Sequence, residues 1–134
     1  MKNSVSNARR WVKQAEFDLR QAKKSLEDSS FAYAAFFAEQ SAQKSLKGFL
    51  FARGARAVVI HSIAELAREA GVYEPVFLDC IERGAKLDRH YIASRYPDAL
   101  PEPAVPFESY AKDEAQEAIR VAEEIFDISK KFIS

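Results

Sequence analysis

An all-α fold, an antiparallel bundle of about five helices forming one domain over residues 1–134, is predicted by three features of the sequence. Strand-type alternation of apolar and polar residues appears nowhere. Glycine is scarce and four of the five prolines lie between 97 and 106, while Ala, Leu, Glu, Lys, Gln and Arg fill the remaining segments. Two long amphipathic stretches flank a nearly all-apolar one, the arrangement of a bundle whose central helix is covered on several sides.

From Ala8 the apolar positions run Ala8, Val12, Ala15, Leu19, Ala22, Leu26. Alternating steps of four and three keep one stripe on one helix face, ending near Asp28. Ser29 and Ser30 then offer N-caps for a second helix over roughly 31–52, which stops near the glycine of FARGAR. In HSIAELAREAG, Ser62 followed by Glu65 is a capping-box pattern and Gly71 a stop signal, which predicts a short third helix. Pro75 suits the first turn of a fourth, running toward Tyr91 or Ile92 and weakened at Gly84. A residue before proline is pushed out of the α region, so Tyr96 should lie off the helix and YPDALPEPAVP should be extended. Ala111, Ala115, Ala118, Ala122, Ile125 and Phe132 mark a last helix over about 107–132.

Twenty basic and twenty acidic side chains cancel, so any phosphate-binding surface must be a local patch rather than a general field. A lone cysteine, Cys80, and the absence of an apolar h-region after MKNSVSNARRW point to a reducing, cytoplasmic setting. The apolar stretch FAYAAFFA is far short of the ~20 residues a membrane span requires. One cysteine and two histidines fit no zinc pattern, and no phosphate-binding glycine loop is present, so neither a metal nor a cofactor is expected.

Four groups of residues could carry chemistry. Gln40, Lys44 and Lys47 share a face of the second helix, either gripping a phosphate or carboxylates, or forming a solvated stripe with lysine stems over the core. His61 could act in acid–base chemistry or fix the loop before the third helix. Arg83 and His90, seven apart, would lie two turns apart on one face of a regular helix; an imidazole that takes a ribose proton and a guanidinium on the phosphate are what metal-free RNA cleavage needs. The same spacing also arises on an ordinary solvated face. Arg95, Tyr96 and Asp98 sit where helix yields to loop, as a binding group or as an Arg–Asp pair anchoring the corner.

Several of these residues fall in an order that resembles the HEPN domain family of nucleotide-binding proteins. The segment W11-VKQ-A15-EF-D18-L19-RQ-A22 resembles the family's W-x-x-x-A-x-x-D-L-x-x-A, and AEQSAQKSLK at 38–47 resembles its A-x-Q-A-A-E-K-x-L-K, with Gln43 where a glutamate is usual. His61 matches the histidine before a short I/L-x-x-L helix, and LDRHYIASRYPD is similar to L-x-x-x-Y-x-x-[ST/A]-R-Y-P-D. The resemblance implies an up-and-down bundle that forms a two-fold homodimer and is encoded beside a small nucleotidyltransferase, in a toxin–antitoxin-like module. On that resemblance, a cleft lined by Gln40, Lys44, Lys47, His61, Arg95 and Tyr96, with Tyr91 and Asp98 as further binding residues, would engage a nucleotide, an RNA or that partner. In toxin-like branches an R-x4-6-H motif cuts RNA without metal; Arg83 through His90 has that form, and no histidine follows Arg95. Three readings stay open: a binding subunit, an endoribonuclease using His90 with Arg83 or Arg95, and a structural adaptor.

Overall fold

The computed structural model describes residues 4–133. Among them every regular element is helical: α1 (Ser4–Glu27), α2 (Phe31–Ala52), α3 (Ile63–Gly71), α4 (Ile81–Asp88), α5 (His90–Ala93) and α6 (Lys112–Lys131). Three 3-10 turns, at Pro75–Cys80, Pro97–Ala99 and Pro106–Glu108, link them. Counting α4 and α5 as one interrupted unit gives the expected five. The helix α2 is the hub, packed by α1, α6 and α3.

Its inner surface shows why. Ala34, Ala35, Ala38, Ser41, Ala42, Ser45, Leu46 and Phe49 are all fully buried. Small side chains let α1 come close. The Ser41 hydroxyl donates to the Ala15 carbonyl at 2.8 Å, and a Cβ added at Gly48 would stand 3.3 Å from the Ala8 carbonyl oxygen. At the other end, Phe49 meets Phe77 with ring centroids 4.6 Å apart, and Phe132 of the C-terminal segment closes the cluster at 6.2 Å from both. Each fully buried phenylalanine contributes about 2–3 kcal/mol.

Local signals act where expected at several ends. The Ser62 side chain accepts from the Glu65 amide at the start of α3. Beyond α2, Gly54 adopts φ +98 while the Ala55 amide bonds the Leu50 carbonyl and the Gly54 amide bonds that of Phe51, a Schellman ending that a glycine at this position permits. Tyr96 is extended, at φ −121 and ψ 124.

Five expectations are corrected. The YPDALPEPAVP connection is not extended throughout, because Pro97 and Pro106 each start a 3-10 turn. Ser29 does not cap α2: it closes α1, in the left-handed region at φ 61, with Ser30 N bonded to Ser25 O, and Ser30 takes the N-cap position of α2 without a side-chain hydrogen bond. Pro75 starts a 3-10 turn rather than an α-helix, and α4 begins only at Ile81. The fourth helix is interrupted at Arg89. The last helix starts at Lys112, because Pro106 nucleates its own short turn and Ala111 is an extended N-cap whose amide reaches Glu114 at 3.4 Å.

Candidate functional site

Of the polar stripe of α2, Lys47 is buried while Gln40 and Lys44 are half-buried, and two neighbouring polar residues are buried with it. Glu39 is completely buried and Gln43 and Lys47 are each 5% exposed. The two carboxylate oxygens of Glu39 accept from Gln40 Nε2 and Gln43 Nε2, both at 2.8 Å. Burial raises this carboxyl to about 7 and Asp88 adds to the rise, against the two amides and Arg95, which oppose it. With its amide nitrogen directed to Glu39, Gln43 turns its Oε1 to His61 Nδ1 at 3.0 Å. Gln43 Oε1 can only accept, so His61 Nδ1 donates to it, and Nε2 is left open on an exposed ring. Lys47 Nζ lies 3.3 Å from the same Nδ1 and 5.8 Å from the Trp11 ring centroid. Desolvation lowers its pKa, against the opposing pull of Glu39.

The loop carrying His61 is fixed from α4. Asp88 accepts from Ser62 Oγ at 2.9 Å, Ile63 N at 2.6 Å and Ala64 N at 3.2 Å, so one carboxylate caps α3 and ties it to the end of α4. Tyr91 then stacks on His61, with centroids 5.7 Å apart and planes 23° from parallel. Arg95 Nε donates to the Tyr91 carbonyl at 3.1 Å, and its guanidinium stands 4.3 Å from the Phe36 centroid, 5.2 Å from Tyr91 and 5.0 Å from Tyr96. A cation among three rings, beside an imidazole with a free nitrogen, suits an anionic or aromatic ligand.

The other expected residues lie apart. Lys44 turns toward α1 and pairs with Asp18 at 2.6 Å, where Asp18 also accepts from Gln14. Asp98 is exposed in the turn after Pro97 and makes no pair with Arg95 among the described residues, so the anchoring Arg–Asp bridge is replaced by the Tyr91 carbonyl and the rings. On the opposite side of α5, Arg83 and His90 both border a cavity of about 330 Å³ against α6. The break at Arg89 replaces the regular two-turn register expected between them. Arg83 pairs with Glu124, and His90 Nδ1 lies 2.8 Å from the Tyr110 hydroxyl. Burial lowers the pKa of His90, Arg89 lowers it further and Glu114 opposes; burial and Glu114 push Tyr110 up to about 12. The α5 turn thus splits the RHYIASRY cluster between two faces. Among the described residues no group of three or more His, Cys, Asp and Glu side chains could hold a metal ion, and no helix is long and apolar enough to cross a membrane.

Sequence reasoning missed Glu39, Asp18, Asp88 and Phe36. The only signal for Glu39 was an acid directly following the apolar run FAYAAFFA, with amides one and four positions on.

Comparison with known proteins places these features in context. The HEPN domain family model matches residues 8–132. "Putative toxin MJ1304" of Methanocaldococcus jannaschii is 25% identical over 137 residues, spanning 97% of this chain and 90% of that protein. The crystal structure of TT1696 from Thermus thermophilus superposes with a TM-score of 0.87 at 38% identity, over 93% of this chain and 97% of that one. ST0689, an archaeal HEPN homologue, gives a TM-score of 0.77 at 34% identity over 100% of both chains.

Proposed function

The chain belongs to the HEPN domain family, and from that premise we propose that it is the HEPN component of a toxin–antitoxin-like pair. Its working surface is the face shared by α2, the His61 loop and α5. The observation that carries this reading is the exposed His61, oriented through Gln43 by the buried Glu39 and stacked on Tyr91, beside the Arg95 guanidinium among Phe36, Tyr91 and Tyr96. Such a surface takes a phosphate with its base, on a nucleotide or an RNA, or a carboxylate and ring of a protein partner. The partner is a small nucleotidyltransferase, and a second copy of the chain packs across the exposed Tyr33, Ile92 and Tyr96. Gln40 and Lys47 support the surface from beneath.

Coexpression with a nucleotidyltransferase encoded beside the chain tests this. A stable complex should form, and Arg95→Glu should weaken it, or weaken AMP or oligoribonucleotide binding measured by calorimetry, at least about tenfold. Full retention of every interaction by Arg95→Glu rejects the surface.

Endoribonuclease activity is the second reading, favoured by the common cavity of Arg83 and His90. Against it, the Glu124 pair and the Tyr110 contact already engage both side chains. It requires RNA cleavage in EDTA that His90→Ala abolishes; no cleavage by the wild type discards it.

A further inference from the structure

The cavity on the far side of α5 has the make-up of a small-molecule site, and its argument stands apart from the docking face. At about 330 Å³ it falls within the roughly 300–1,000 Å³ of typical ligand pockets. Its floor is apolar: Leu87, Ala118 and Val121 line it and are each no more than 3% exposed. Its rim carries Arg83, Lys86 and Arg89 facing Glu114 and Glu117 of α6.

The pairing of these charges leaves the cations in excess. Glu117 is held by both Arg120 nitrogens, at 3.0 and 2.6 Å. Glu114 accepts from the Ala111 amide, and Arg83 is paired with Glu124, outside the lining. Lys86 and Arg89 are exposed and form no ion pair among the described residues.

Two further groups lack a partner among the described residues. Arg83 Nε is buried without an acceptor. Among the described residues His90 Nε2 has no hydrogen-bond partner either, and it keeps contact with solvent although the residue as a whole is only 9% exposed. An unpaired guanidinium N–H, two unpaired cations and an open imidazole nitrogen over an apolar floor are the complement of a ligand with an anionic head and a greasy body.

We propose that this cavity binds a small planar organic anion, an aryl carboxylate or aryl phosphate, with its ring on Leu87, Ala118 and Val121 and its head against Lys86, Arg89 and His90.

The full chain titrated by calorimetry with phenyl phosphate, benzoate, phenol and inorganic phosphate tests the assignment. At least one of the two aryl anions should bind with a Kd of about 1 mM or tighter, and which of them binds better identifies the head group. Phenol and inorganic phosphate should each bind at least about tenfold more weakly, because each offers only half of the complement. The double variant Lys86→Glu/Arg89→Glu alters exposed side chains alone, so it should keep the wild-type unfolding midpoint while losing aryl-anion affinity at least about tenfold. Absence of aryl-anion binding, equal binding of phenol or of inorganic phosphate, or an unchanged Kd in a folded double variant overturns the proposal.

Discussion

Replacing Glu39 by glutamine should make the protein more stable in mild alkali and nearly abolish one component of its pH dependence. Glu39 is fully buried among two amides, with no cation in ion-pair range among the described residues. Burial lifts its pKa from 4.5 to about 7. At about 1.4 kcal/mol per pH unit, that rise disfavours the ionised native state by about 3 kcal/mol. Between those two values the native state keeps a proton that the unfolded chain has released, so stability falls as pH rises and levels off above about 7. Glutamine removes the charge but offers one oxygen to two amide donors, a loss of about 1 kcal/mol. The variant should therefore gain about 2 kcal/mol over the wild type at pH 8 and lie within about 1 kcal/mol of it near pH 5. Urea unfolding followed by helical circular dichroism at several pH values measures both curves. If the difference between them stays constant across that range, Glu39 ionises as an ordinary carboxylate and the reasoning from burial is wrong.

Three further outcomes can be checked by the same unfolding measurements. Ser29→Gly should stabilise the protein by about 0.5–1 kcal/mol, because Ser29 holds a left-handed φ of 61 that glycine adopts freely, the gain being reduced by the looser unfolded chain. Gly84→Ala should destabilise by about 1 kcal/mol despite better helix propensity, since the new Cβ would stand 2.7 Å from Cγ2 of the fully buried Ile63. Asp88→Ala should lose about 2 kcal/mol and speed amide exchange at Ile63 and Ala64, which it caps, while exchange within α6 is less affected.

What could be read from the chain follows the range of each physical cause. Periodicity located α1 and α6 because a stripe of Ala8, Ala15, Leu19 and Ala22 needs only its own helix to show, and α2 was placed by its continuous apolar run and the glycine beyond its end. Tyr96 was predictable because proline constrains its immediate neighbour. The family and the helical class were legible through motifs spread along the whole chain. The break at Arg89, the buried state of Glu39 and the cap supplied by Asp88 were not, since each depends on what another helix brings alongside. Lys44 illustrates the limit: its spacing from Gln40 and Lys47 is helical, but Asp18 on α1 draws it to a different side from the His61 network. Arg95 and Asp98 are three residues apart and oppositely charged, yet the rings and a carbonyl occupy the guanidinium instead.

The close approach of the first two helices has a consequence for what this surface can tolerate. Ser41 meets Ala15 and, seven residues on, Gly48 faces Ala8, seven residues back, so the two backbones touch at matched intervals like teeth on paired racks. A side chain even one carbon larger at either tooth would lever α1 outward and carry Trp11 away from Lys47, which supports the His61 face. The smallest residues of the hub thereby set the spacing of its charged ones, and mutations confined to alanine, serine and glycine could disable a binding face they never touch.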